Sequence, residues 1–138
     1  MGRRFGADAR IRKRPEFLRV REKGLERHGR GFLLQCAPGG PEQTRPRLGV
    51  IVTKRLGNAV VRNRAKRVFR ALFRSCGAER YPVADWVVVV RKGYLGQNHA
   101  ALSESWNGTL DSLGRKLMAL GNPSDPESPR NDSAGEAS

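Results

Sequence analysis

Thr53–Arg74, TKRLGNAVVRNRAKRVFRALFR, holds eight basic residues (Lys54, Arg55, Arg62, Arg64, Lys66, Arg67, Arg70 and Arg74) and no carboxylate. A block of like charge repels itself into an extended chain unless apolar residues give it something to pack. Here they recur at helical spacing. At about 100° per residue, Val61, Ala65, Val68, Phe69, Leu72 and Cys76 fall within one arc, and Arg62, Lys66, Arg67, Arg70 and Arg74 within the opposite one. The spacing predicts an amphipathic helix, with Asn58 as N-cap after the Gly57 turn and Gly77 as its stop. One face packs and the other holds an anion. A merely solvated face would mix Lys with Glu, whereas a helix that repels itself along one side is relieved by a polyanion.

Upstream, Arg47–Thr53 alternates as a strand, with Leu48, Val50 and Val52 on one face and Gly49, Ile51 and Thr53 on the other. Before it, Phe32–Ala37 also reads as a strand, ended by Pro38, Gly39, Gly40 and Pro41. These two strands are close enough in sequence to pair antiparallel. Pro15 suits a first helical position and Glu16 the positive end of a helix dipole, so a short helix is expected over about Pro15–Lys23, stopped by Gly24. Downstream, Asp85–Val90 is a β-branched apolar run of the kind buried at the centre of a sheet. Leu102, Trp106, Leu110, Leu113, Leu117 and Leu120 then mark a final amphipathic helix, weakened by Gly108 and Gly114.

The chain has 138 residues, enough for one domain with a modest core. Its 27 Lys and Arg against 13 acids give a formal net charge of +14, a balance suited to partners that carry phosphate. The excess is concentrated in the body, because the tail over 121–138 carries four acids and one Arg. That tail is Gly-, Ser- and Pro-rich without apolar periodicity and is expected to be disordered and acidic, while 1–9 is expected to be a flexible basic arm. No apolar run approaches the roughly 20 residues that span a bilayer, and Met1–Phe5 is not followed by the apolar region of a signal peptide. A cytoplasmic protein with no membrane partner is expected. Cys36 and Cys76 sit in apolar contexts and read as small core residues.

A protein-borne nuclease would need gathered carboxylates for metal ions or a His pair for acid and base work. The acids of the body are scattered singly, His28 and His99 stand in polar surroundings, and Gly57 opens no phosphate-binding P-loop. Neither a catalytic residue nor a metal ligand is assigned, and no small-molecule cofactor is expected. The basic residues are more informative. Of the 27, 21 are Arg, whose planar fork takes phosphate bidentately and stacks on bases. Asn63, between Arg62 and Arg64, either reads a base or sugar edge or only solvates the helix. Phe17 and Phe32 either pack the core or stack unpaired nucleotides.

The order of residues over Lys54, Arg55, Gly57, Asn58, Ala59, Val60, Arg62, Asn63, Arg64, Lys66, Arg67 and Arg70 closely resembles the signature of the bacterial ribonuclease P protein component. Flanking features agree: the basic lead into a helix bearing Phe17, the strand at Phe32, the Trp86–Val90 strand followed by Arg91 and Lys92, and the closing helix. The resemblance covers about 10–120, which it makes the RNA-binding domain. It implies a small α+β single-domain two-layer sandwich, about a four-stranded mixed sheet with helices. It also implies a left-handed βαβ crossover through the basic helix, against the right-handed default of about 98%.

The resemblance further implies the protein subunit of an endoribonuclease holoenzyme that removes the 5′ leader of precursor tRNA, with catalysis carried by the RNA and by Mg2+ held mainly by that RNA. Carried over by position, Lys54, Arg55, Asn58, Arg62, Asn63, Arg64, Lys66, Arg67 and Arg70 bind the catalytic RNA. A cleft between the first helix and the sheet, with Arg10, Arg12, Lys13, Phe17, Arg21 and Phe32, holds the leader. The chain departs from the commoner family pattern in two places. Arg21 follows Val20 where an aromatic is frequent, and Gln35 stands where the strand often has another, so leader binding is expected to lean on charge. Two other readings compete: a ribosomal-type structural RNA-binding protein with no role in tRNA processing, and a DNA-binding regulator. The latter ranks last because no second helix forms a helix-turn-helix unit.

Overall fold

The computed structural model describes residues 10–120 apart from 12, 41, 42 and 76. The arm expected over 1–9, the tail over 121–138, Arg12 and Cys76 lie outside the described residues. In chain order the elements are α1 (Arg14–Lys23), β1 (Leu25–Gly29), β2 (Phe32–Pro38), β3 (Arg47–Ile51), α2 (Ala59–Ser75), β4 (Ala84–Val90) and α3 (His99–Leu120), with 3-10 turns at Lys54–Leu56, Ala78–Arg80 and Lys92–Gly96.

Local chemistry sets the helix ends. In α1 a proline stands in the first turn, and the Glu16 carboxylate accepts the Lys13 backbone N–H at 3.3 Å. Asn58 caps α2, its Oδ1 accepting the Val61 N–H at 3.0 Å, and Gly77 in the left-handed region follows the helix. Asn98 plays the same capping part for α3, accepting from Ala101 at 2.8 Å. Although each glycine costs about 1 kcal/mol relative to Ala, α3 runs through Gly108 and Gly114 because Leu102, Trp106, Leu110, Leu113 and Leu117 bury one continuous stripe.

The strand order is β1-β2-β4-β3. β4 pairs antiparallel with β2, from Phe32↔Val90 to Pro38↔Ala84, and parallel with β3, from Arg47↔Asp85 to Ile51↔Val89. The pairing expected between β2 and β3 is therefore corrected: β4 lies between them. Trp86, Val87, Val88 and Val90 are all buried, and a strand apolar on both faces gains most at the centre. Nearness in sequence counts for less than that burial. β1 is a strand that the sequence does not announce, since LERHG has no apolar run and exposes Glu26, Arg27 and His28; it pairs with β2 as an edge strand.

Alternation along the strands sorts the core into two faces. Phe32, Leu34 and Cys36 with Trp86, Val88 and Val90 meet Ala65, Phe69, Leu72 and Phe73 of α2 and the α3 stripe. Burial pushes the Cys36 thiol up to about 12, which makes it an inert packing residue. On the other face Ala37 and Val87 pack with Ile11 and Val20, and half-buried Phe17, Ile51 and Val89 border them. This second face is only partly covered by α1, and the uncovered part is the cleft.

Candidate nucleic-acid interface

Arg14, Phe17, Leu18 and Arg21 recur at spacings of three and four, so they form one stripe of α1. Together with Leu33 and Gln35 of β2, Ile51 of β3, Val89 of β4 and Arg91 they line a cleft of about 560 Å³. Phe17 lies directly over Gly49 of β3, where a Cβ would overlap its ring, so glycine is what lets the aromatic reach the sheet. Gln35 is turned by a hydrogen bond from its Nε2 to Glu26 Oε1 at 3.2 Å. An apolar floor with three exposed guanidinium-bearing side chains, Arg14, Arg21 and Arg91, suits an unpaired nucleotide strand: bases meet aromatic and aliphatic surface while phosphates meet Arg.

One expected member of this cleft is corrected. Phe32 is 1% exposed on the opposite face of the sheet, its ring 5.6 Å from that of Phe69 and 5.7 Å from that of Trp106. Even-numbered residues of β2 point to α2 and α3, so Leu33 and Gln35 reach the cleft instead. Phe17 and Arg21 line it as expected, and Lys13 is exposed at the start of α1. Arg10 bridges to Leu48 on β3 and lies within electrostatic reach of Arg70, nearer the basic helix than a leader residue was expected to be. Arg12 lies outside the described residues. The lining residues Arg14, Leu18, Leu33, Ile51 and Val89 were legible only as helical and strand periodicity, which does not say which stripe faces a cavity.

The basic helix carries its charges as expected. Asn63, Arg64, Arg67 and Arg74 are exposed, and Arg62, Lys66 and Arg70 are half-buried along one flank. The Arg62 guanidinium donates to the Gly57 carbonyl at 2.9 Å and so holds the turn that opens the helix. Burial, and then the charge of Arg10, pull the Arg70 guanidinium below its usual range, so the Arg10 cation lies close enough to Arg70 for their charges to interact. Among the described residues the ion pairs fall on Arg19, Arg47 and Arg115, none of them in α2. Exposed Lys54 and Arg55 stand in the turn before the helix, and Arg55 also lines a second recess of about 530 Å³ with Thr53, Leu56, Val90 and Lys92. That recess shares Val89 and Arg91 with the cleft, so one basic path joins the cleft to the start of α2.

At the far end of the cleft face a second charge cluster has the opposite character. Asp85 is fully buried in β4, and its carboxylate accepts Arg47 Nε at 2.8 Å and Nη2 at 2.9 Å, Gln43 Nε2 at 2.9 Å, and Arg19 Nη2. Burial pushes this carboxyl up, but the hydrogen bonds from Arg47, Gln43 and Arg19 outweigh it and hold it below the usual range. A carboxylate with a depressed folded pKa contributes stability above its unfolded pKa, about 3.9, and loses it as pH falls through the folded value. We therefore expect the melting temperature to fall on acidification below about pH 4, and Asp85→Asn, less stable at neutral pH, to show a shallower acid limb. Parallel acid limbs in thermal melts of the two proteins would refute this.

Known proteins share the sequence pattern and the fold of this chain. A family model described as Ribonuclease P matches residues 5–114. The ribonuclease P protein component of Geobacillus kaustophilus is 38% identical over 96 residues, 70% of this chain and 78% of that protein. That of Brucella suis is 36% identical over 120 residues, 81% of this chain and 79% of that protein. Among solved structures, the RNase P protein of Staphylococcus aureus superposes with a TM-score of 0.67 at 29% identity, covering 80% of this chain and 97% of that one. The Thermotoga maritima RNase P protein superposes with a TM-score of 0.61 at 28% identity, covering 77% and 96%.

Proposed function

The chain belongs to the bacterial ribonuclease P protein family, and from that premise we propose how its two basic surfaces divide the work. As the protein subunit of a ribonucleoprotein endoribonuclease it partners RNA, and the family's general role is removal of the tRNA 5′ leader. In our reading α2 anchors the catalytic RNA through Arg62, Asn63, Arg64, Lys66, Arg67 and Arg70, with Lys54, Arg55 and Asn58 at its approach. The observation that carries this is the outer face of α2, an exposed cationic surface to which the chain supplies no carboxylate among the described residues. Phosphates supply that counter-charge.

The cleft then receives the single-stranded leader of precursor tRNA, with Phe17 offering a stacking face and Arg14, Arg21 and Arg91 taking phosphates. Lys13 and Lys92 extend this path at its two ends, and residues 10–120 act as the RNA-binding domain. Among the described residues no three His, Cys, Asp or Glu side chains converge on a point where a metal could sit. In our reading, which follows the family resemblance, the Mg2+ is held mainly by the RNA and the protein does the work of binding and orienting. Among the described residues no helix is long and apolar enough to cross a membrane. From the family's general role in tRNA processing we place the reaction in the cytoplasm.

The test is reconstitution. The purified chain alone leaves precursor tRNA uncut, while added to its cognate catalytic RNA at low magnesium it restores removal of the leader at the mature 5′ end. An RNA that cleaves no better with the chain than without it would end this reading.

A further inference from the structure

Helix α1 presents two adjacent stripes, and only one belongs to the cleft. Arg14, Phe17, Leu18 and Arg21 line it, while Glu16, Arg19 and Val20 anchor the helix to the sheet. Val20 is fully buried with Ala37 and Val87. Glu16 pairs with Arg47 at 3.3 Å, and Arg19 donates to the Pro38 carbonyl at 3.0 Å as well as to Asp85. A helix of ten residues is marginal by itself, so these attachments decide where it lies. Apolar burial is non-directional, whereas the bidentate Arg47–Asp85 pair and the Arg19 fork specify angle and register.

We propose that the cluster centred on Asp85 is a positioning device for substrate recognition: it sets the pose of α1, and hence of the Phe17 and Arg21 stripe over the sheet, without touching RNA. This rests on the reading of the cleft as the leader site. Asp85 joins four parts of the fold through one carboxylate, namely its own strand β4, Arg47 on β3, Gln43 in the loop before β3 and Arg19 on α1. Its two oxygens accept four N–H groups, which leaves it no capacity for a further partner. The cluster also runs against the electrostatic purpose of the protein. Two carboxylates, Asp85 and Glu16, engage two guanidinium groups, Arg19 and Arg47, that would otherwise attract a polyanion. A surface built only for attraction would omit them.

That conflict gives the proposal a sign that charge alone cannot mimic. The experiment uses the reconstituted holoenzyme and compares its affinity for precursor tRNA carrying a leader of several nucleotides with that for precursor carrying a single-nucleotide leader. Asp85→Asn raises the net charge by one, yet is expected to reduce the preference for the longer leader about tenfold, with binding of the catalytic RNA unchanged. Arg19→Ala, at a side chain 38% exposed and so less prone to cause misfolding, is expected to reduce the preference in the same direction, and Arg19→Lys to recover part of it. A preference kept or strengthened in Asp85→Asn and Arg19→Ala, or one lost only in step with binding of the catalytic RNA, overturns the proposal. Absence of any leader preference in the wild-type holoenzyme overturns the leader-site reading itself, and is told apart because it needs no variant.

Discussion

Phe69→Ala lowers the stability of the domain by about 3–5 kcal/mol, a large share of what holds a small domain folded. The ring is fully buried at the point where α2, β2, α3 and the turn at Lys92–Gly96 meet. It packs edge-on to Phe32 with centroids 5.6 Å apart at 69°, edge-on to Trp106 at 5.6 Å and 60°, and tilted on Tyr94 at 5.5 Å. Truncation removes the transfer free energy of the ring and leaves a cavity whose walls belong to four different elements, so they cannot all close on it. Denaturant unfolding checks this: the midpoint falls while the slope stays as it was, because the folded architecture is kept. A decrease under about 1 kcal/mol, far below the range for buried aromatics, would show that the cluster repacks.

The second large effect is functional and leaves stability alone. Arg64→Ala combined with Arg67→Ala removes two exposed guanidinium groups from the outer face of α2, and stability changes by no more than about 0.5 kcal/mol. Affinity for the catalytic RNA falls, by about tenfold or more for each charge-assisted hydrogen bond removed. The dependence of log affinity on log salt flattens by roughly 0.7 to 0.9 for each phosphate released. Binding measured over a range of salt concentrations separates this from an indirect effect: a weaker affinity with an unchanged slope would place the two side chains away from the phosphates. The pair thus complements Phe69→Ala: one side of the helix is buried in the core, and the opposite side carries the recognition we propose.

That division was readable in the sequence because α2 obeys a period. Six basic residues without a carboxylate, set against Val61, Ala65, Phe69 and Leu72, define a buried and an exposed face whatever the helix packs against. Asn58 as cap, Asp85–Val90 as a central strand and the leucine stripe of α3 were legible for similar reasons, each being a local or periodic signal. The cleft was less so. Phe17 and Arg21 do line it, but Phe32 belongs to the core, because strand parity alone says which residues share a face and not which face is open. Arg14, Leu33 and Val89 became cleft residues only when α1 left part of the sheet uncovered.

Two features lay outside what a single sequence displays. β1 has too little apolar content to announce itself, and its pairing follows from the hairpin that Gly31, at φ 83°, allows next to β2. Asp85 reads in isolation as a polar residue opening an apolar strand; its partners Arg19, Arg47 and Gln43 are far from it along the chain and meet only through the strand order β1-β2-β4-β3. By itself the sequence determined the amphipathic basic helix and the family to which the order of its residues belongs, since composition and period act over a few turns of chain. The tertiary structure alone decided which sheet face became the cleft and which arginines were withdrawn from it. Those outcomes depend on strand order and on burial between residues distant in sequence, and no local pattern carries them.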